Sequence, residues 1–118
     1  MDCPVCLTAL EVSEYTCPAC ALTLRGRFVL PRLARLDAEQ QQLAEQLILA
    51  GGNLTELARE QGISHPTLRK RLDSLIAALQ ALRAEDERRT AELLTAVEQG
   101  TMAPELAARL IREQNGGA

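Results

Sequence analysis

The stretch Asn53–Leu79 reads NLTELAREQGISHPTLRKRLDSLIAAL, and its punctuation decides the fold. Asn53 is a helix-capping residue type, so a short helix is predicted from Leu54 to about Gln61, with Leu54, Leu57 and Ala58 turned inward. Gly62 allows a tight turn and Ile63 plugs the junction. Ser64 caps a second helix, and its first turn tolerates Pro66 because the missing N–H would have no partner there. Leu68, Leu72 and Leu75 continue the core face, and small Ala58 lets the two helices cross closely. Two helices joined in this way form a helix-turn-helix signature. In that geometry His65, Thr67, Arg69, Lys70 and Arg71 lie outward near the N-terminal half of the second helix. Arg69 and Lys70 are candidates for base edges, while Arg71, Arg59 and His65 are candidates for phosphate. The bland alternative is a three-helix core whose Arg-Lys-Arg run is a solvated face. Residues 51–83 hold five basic and three acidic side chains, a modest local excess.

Upstream, residues 25–36 read RGRFVLPRLARL, with Arg25, Arg27, Arg32 and Arg35 and no acid. Phe28, Leu30, Leu33 and Leu36 are the predicted buried partners, and Pro31 suits the first position of a short helix. Asp37 and Gln40 fit a capping box for a helix to about Ala50, with Leu43, Leu47 and Ile48 inside and Gly51-Gly52 as its stop.

Downstream, leucines at 68, 72, 75, 79 and 82 step by four and three, the spacing of a helix seam, which breaks at Asp86 and Arg89. Leu75, Leu79 and Leu82 are assigned to a contact with a second subunit; the alternative is packing within the chain against Leu43 and Leu47. An acidic segment follows, then Leu93, Leu94 and Val97 as one stripe. Gly100 is a break, Thr101 a candidate cap, and Leu106, Ala107, Leu110 and Ile111 the facing stripe. This helical hairpin is too small to be stable alone, so it must dock on the body or pair with another copy, using Leu93, Leu94, Val97, Leu106 and Leu110. Asn115–Ala118 should fray.

All four cysteines lie in the first 20 residues, as Cys3-Pro-Val-Cys6 and Cys17-Pro-Ala-Cys20. Two C-x2-C pairs supply the four thiolates that a tetrahedral structural zinc takes, with no position left for water. One zinc per chain is therefore expected on Cys3, Cys6, Cys17 and Cys20. Iron uses similar spacing and stays open, as do a disulfide staple and a redox pair. Short strands are predicted at Leu10–Val12 and Tyr15–Thr16, with a third over Leu22–Val29 broken by Gly26. Leu7 and Ala21 stand where such knuckles usually place glycine, so some backbone strain is expected. The first 24 residues carry Asp2, Glu11 and Glu14 and no Lys or Arg, which suits a scaffold or protein-docking surface better than a phosphate contact.

Composition sets the outer limits. In 118 residues there is one Phe, one Tyr and no Trp, while Leu and Ala dominate, which argues against a large sheet-based enzyme. The net charge of −3 rules out a polybasic coat, so any nucleic-acid contact must use a local patch. Neither a secretory leader nor a membrane-spanning run is read, and the cytoplasm is the default. His65 is the single histidine and sits far in sequence from the thiolates. With no hydrolase, metalloprotease or phosphate-loop motif, the protein is read as no enzyme and without a small-molecule substrate.

Four blocks, CPVC, CPAC, GRFVLPRLARL and GGNLTELAREQGISHPTLRKRLDSLI, resemble the DUF2089 family of bacterial proteins over residues 3–76. That resemblance implies a zinc ribbon followed by a helix-turn-helix. The latter also resembles region 4 of sigma factors, which would put His65, Thr67, Arg69 and Lys70 on a DNA face. ELLTAVEQGTMAPELAARLIREQ resembles the SHOCT-like hairpin linked to oligomerisation. The expected architecture is thus a small β zinc ribbon (residues 1–24), a mostly α helix-turn-helix body with a long final helix (25–83) and a C-terminal helical hairpin (84–115). The expected function is a dimeric DNA-binding transcriptional regulator. The alternative is an adaptor that touches the transcription machinery without binding DNA.

Overall fold

The computed structural model describes residues 1–114, so the expected fraying of Asn115–Ala118 lies outside the described residues. Two strands, β1 (Val12–Thr16) and β2 (Thr23–Phe28), precede a 3-10 turn at Arg32–Arg35 and four helices: α1 (Ala38–Leu49), α2 (Leu54–Gln61), α3 (His65–Glu98) and α4 (Pro104–Gln114). The chain divides into two compact units. One is Arg32–Glu87; the other combines Met1–Pro31 with the segment from Arg88 onward.

Within Arg32–Glu87 the caps act where the sequence placed them. Asp37 accepts from the Gln40 N–H at 2.8 Å, and the Gln40 side chain accepts from the Asp37 N–H at 3.3 Å. The box occupies two N–H groups that the first turn would otherwise leave unpaired. Replacing Asp37 with Ala should therefore cost about 1 kcal/mol, read as a lower urea midpoint with unchanged slope. Gly51 and Gly52 take φ of 66° and 81° and end α1. Asn53 caps α2 by accepting from the Glu56 N–H at 3.1 Å. Gly62 turns the chain at φ 67°, and the Ile63 N–H returns to the Ala58 carbonyl at 3.1 Å. Ser64 then accepts from the Thr67 N–H at 3.3 Å and starts α3.

This turn brings Leu57, Ala58 and Leu68 into one buried cluster, with Leu43, Leu47, Ala50, Leu54 and Ile63 packed around it. Gln61 donates to Gln46 at 2.5 Å and ties α2 to α1. Two predicted core positions are corrected. Leu33 is 52% exposed and Ile48 72% exposed, while Leu36 is buried. The short turn at Arg32–Arg35 presents only part of its apolar set inward, and Ile48 lies near the end of α1, on the side away from Leu43 and Leu47.

α3 is a single helix of 34 residues, so the expected domain boundary at 83/84 falls inside it. The leucine seam does not stop at Asp86 either. Continuing the four-three step from Leu82 lands on Asp86, which is 1% exposed rather than part of a solvated acidic face. Arg32 Nε donates to its Oδ2 at 2.7 Å and an Arg35 Nη at 2.5 Å. A polar residue on an otherwise apolar seam fixes which partners meet there. Here it joins the two ends of the Arg32–Glu87 unit. Leu75, assigned to a second subunit, is 4% exposed within this one chain and is unavailable as an outer contact. Leu79 and Leu82 are half-buried.

The strand layout also differs from expectation. Leu10–Val12 and Tyr15–Thr16 do not form two strands; one strand, β1, pairs antiparallel with β2. A bulge falls between the pairs Val12–Phe28 and Glu14–Arg25, where β2 carries the extra residue around Gly26. Gly26 therefore kinks the strand without breaking it, and a boundary after residue 24 cuts through β2. Tyr15 and Phe28 meet edge to face with ring centroids 4.7 Å apart.

In the C-terminal part Gly100 turns at φ 73° and Pro104 opens α4. Thr101 does not cap α4. Its hydroxyl donates to the Ala96 carbonyl at 3.0 Å and closes the end of α3. Gln114 donates to Thr90 at 2.9 Å, which pins α4 back along α3, and Ala107 is buried. Leu93, Val97 and Leu110 are half-buried in this hairpin, whereas Leu94 and Leu106 are exposed.

Candidate functional site

Each cysteine pair sits on the same backbone turn. Cys3 N–H donates to the Thr8 carbonyl at 2.8 Å and Leu7 N–H to the Cys3 carbonyl at 2.9 Å. The second knuckle repeats this with Cys17 to Leu22 at 2.7 Å and Ala21 to Cys17 at 2.9 Å. Both turns need a left-handed residue after the second cysteine, and Leu7 and Ala21 supply it at φ 62°. Non-glycine residues there carry strain of about 1 kcal/mol each, the expectation drawn from the missing glycines.

The turns also prepare the sulfurs for a cation. The Thr8 hydroxyl, 3.4 Å from Cys6 Sγ, is the main cause holding the Cys6 thiol below its ordinary range. Cys17 is lowered first by the backbone N–H of Cys20 and then by that of Ala19. No cysteine is in a disulfide; Cys3 and Cys17 are half-buried, Cys6 and Cys20 exposed. Each knuckle gathers its own pair, and among the described residues no group of three or more His, Cys, Asp or Glu side chains is assembled as one metal cluster. The donor chemistry nevertheless fits a thiophilic ion: four free thiols on two like turns, with thiolate-favouring hydrogen bonds in both. Cys3, Cys6, Cys17 and Cys20 would hold such an ion, which supplies a cross-link between the turns.

The helix-turn-helix residues are all on the surface: Arg59 on α2 and His65, Thr67, Arg69, Lys70 and Arg71 on α3. They do not share one face. At 3.6 residues per turn, Arg69 and Arg71 point about 200° apart around α3. His65 and Arg69, four apart, share one flank, and Lys70 lies on the outer side opposite buried Leu68. Thr67 is engaged at the cap, its hydroxyl 2.8 Å from that of Ser64. Arg71 and Ser74 line a polar groove with Asp37, Glu39, Gln40 and Gln46 of the α1 region.

Ion pairing separates the cations. Arg25 meets Glu14 at 2.7 Å, Arg27 meets Glu11 at 3.7 Å, and Arg32 and Arg35 meet Asp86, so the acid-free basic run of the sequence is neutralised. Arg69 meets Asp73 at 3.1 Å. Among the described residues Arg59, Lys70 and Arg71 make no ion pair, nor do Arg89 and Arg112 further along the chain. Sequence reasoning missed Asp86 as a structural residue, although its place on the seam was a usable signal.

Two family models match the chain. One is described as a DUF2089 zinc ribbon and covers residues 3–34; the other, a domain of unknown function (DUF2089)-HTH, covers residues 36–82. No curated protein and no solved structure matches. Among the described residues no helix is long and apolar enough to cross a membrane.

Proposed function

The chain belongs to the DUF2089 family, and from that premise we propose that it is a transcription-associated binding protein that contacts duplex DNA through α2 and α3. The observation that carries this reading is the distribution of unpaired cations. Most arginines elsewhere are engaged by acids, with Arg89 and Arg112 as the exceptions, whereas Arg59, Lys70 and Arg71 of α2 and the start of α3 are all exposed and without ion pairs among the described residues. In a chain of net charge −3 this local arrangement is what a phosphate backbone would meet. Lys70 is the outermost contact, and Arg59 and Arg71 add their charge to the attraction for phosphate.

The ribbon is assigned a structural role, with one zinc per chain on Cys3, Cys6, Cys17 and Cys20. Free thiol pairs suit the reducing cytoplasm. No catalytic role is assigned: His65 is an exposed residue at a helix start. Exposed Leu94 and Leu106 on the terminal hairpin support pairing with a second copy of the chain, in keeping with a SHOCT-like role.

Lys70→Ala and Arg71→Ala should each weaken binding to genomic duplex fragments uniformly across sequence. Each should also reduce the slope of log affinity against log salt by about 1. Gel shift at several salt concentrations checks this. Binding that ignores both salt and the substitutions removes the DNA reading.

A second reading is favoured by one observation. Val5 and Leu7 on the first knuckle are strongly exposed apolar side chains. That surface suits a protein contact on the transcription machinery, and the protein would then act as an adaptor without touching DNA.

A further inference from the structure

Arg69 differs from its cationic neighbours in having a partner. Its Nε lies 3.1 Å from Asp73 Oδ1, one turn on along the same flank of α3. Both side chains are more than half exposed. An exposed pair with the cation N-terminal to the acid is the less favourable order on a helix and adds little to stability. An acid beside a phosphate-binding surface also repels the ligand. Its geometry, however, has a chemical use. The closest approach of the carboxylate is to the Nε edge of the guanidinium, so the Nη edge is the one left for a ligand. Two parallel N–H donors match the O6 and N7 acceptors of guanine in the major groove. Arg69 is the fifth residue of α3, in the N-terminal part where recognition helices reach base edges.

We propose that Asp73 is a positioning residue that holds Arg69 for bidentate recognition of one guanine, so that this pair sets sequence preference while Arg59, Lys70 and Arg71 set overall affinity. The proposal rests on the DNA reading above. His65, on the same flank one turn earlier, lies on the N-terminal side of the same contact.

The sign of the Asp73 effect separates this role from a structural one. Removing a surface acid raises attraction to phosphate for every sequence. Removing a positioning group lowers the preference for one base. The zinc-loaded full chain is presented with a randomised duplex pool, and bound fragments are sequenced for the native protein, Asp73→Ala, Asp73→Asn and Arg69→Ala. In the native protein one position should be enriched in guanine, and replacing that base by 7-deazaguanine, which lacks N7, should remove the gain. Asp73→Ala should bind the unselected pool at least as tightly as native protein, yet lose about fivefold of the guanine preference. Asp73→Asn, which keeps an oxygen acceptor, should retain part of it, and Arg69→Ala should abolish it. Equal guanine preference in native and Asp73→Ala proteins overturns the proposal, as does a uniform loss of affinity in Asp73→Ala. Native protein that retains no duplex at low salt would instead remove the DNA reading itself. Far-UV circular dichroism of each variant guards against loss of fold.

Discussion

Asp86→Ala should lower the unfolding free energy of the Arg32–Glu87 unit by about 3 kcal/mol. The carboxylate is almost wholly buried and receives two guanidinium groups, at 2.7 Å from Arg32 and 2.5 Å from Arg35. Its removal leaves two cations facing each other with no acceptor. Truncating one member of a buried ionic set typically costs about 3–5 kcal/mol, and the lower figure applies because Arg32 retains 36% of its side-chain exposure. Against a total stability of about 5–15 kcal/mol for a small domain, this is a large fraction. Urea unfolding followed by circular dichroism measures it. A loss below about 1 kcal/mol would show that the cluster does not hold the two ends of the unit together. Replacing Asp86, Arg32 and Arg35 together by apolar residues of similar size should restore much of the loss, because the cost lies in the unbalanced charge.

The same cluster sets an acid limit. Burial alone would push the Asp86 carboxyl up, but hydrogen bonds from Arg35 and then Arg32, with their charges, outweigh it and hold the group below its ordinary range. A depressed folded value means that the stabilisation is complete above the unfolded carboxylate range. It is lost as pH falls through the folded value. Asp86→Asn should flatten this acid arm of the pH–stability curve.

Removing metal should unfold the ribbon and leave the helical signal in place. β1 and β2 are exposed along most of their length, and the Tyr15–Phe28 contact is the one aromatic pair among the described residues. So few buried atoms cannot offset the entropy of ordering the ribbon. Structural zinc in small modules contributes about 10–16 kcal/mol of apparent binding free energy at neutral pH, far more than the sheet itself supplies. Chelator treatment, or Cys17→Ser, should collapse the dispersion of Leu22–Phe28 amide signals while resonances of α2 and of α3 up to Glu87 stay in place. Native mass spectrometry should show one zinc per chain and its loss in the variant; a coloured protein with iron-thiolate absorption would identify iron instead. Ribbon signals that persist without metal would contradict the cross-linking role of the four thiols.

Much of the fold was legible because its signals are local. Asp37, Asn53 and Ser64 cap within three residues of themselves, and Gly51, Gly52, Gly62 and Gly100 each adopt the left-handed turn that ends a helix. The knuckle strain at Leu7 and Ala21 followed from a residue type and its offset from cysteine. The DNA candidates were legible only as a list. Their division between two flanks of α3, and the pairing of Arg69 with Asp73, depend on side-chain direction around the helix.

The sequence by itself determined the helix-turn-helix, the two cysteine knuckles and the helix ends, since each is specified by a capping atom, a left-handed turn or a ligand spacing over a few residues. Only the tertiary structure decided that Asp86 is a buried counter-ion, that the arginine-rich linker carries no free charge patch, and that Leu75 faces this chain's own core. These outcomes depend on which distant groups are brought together. Asp86 stands 54 and 51 residues from its two arginines, and no local pattern encodes whether a charge meets its partner or water. Desolvation makes the difference: the same Asp that would be a solvated acid on an isolated helix becomes, once covered, a group that must be paired.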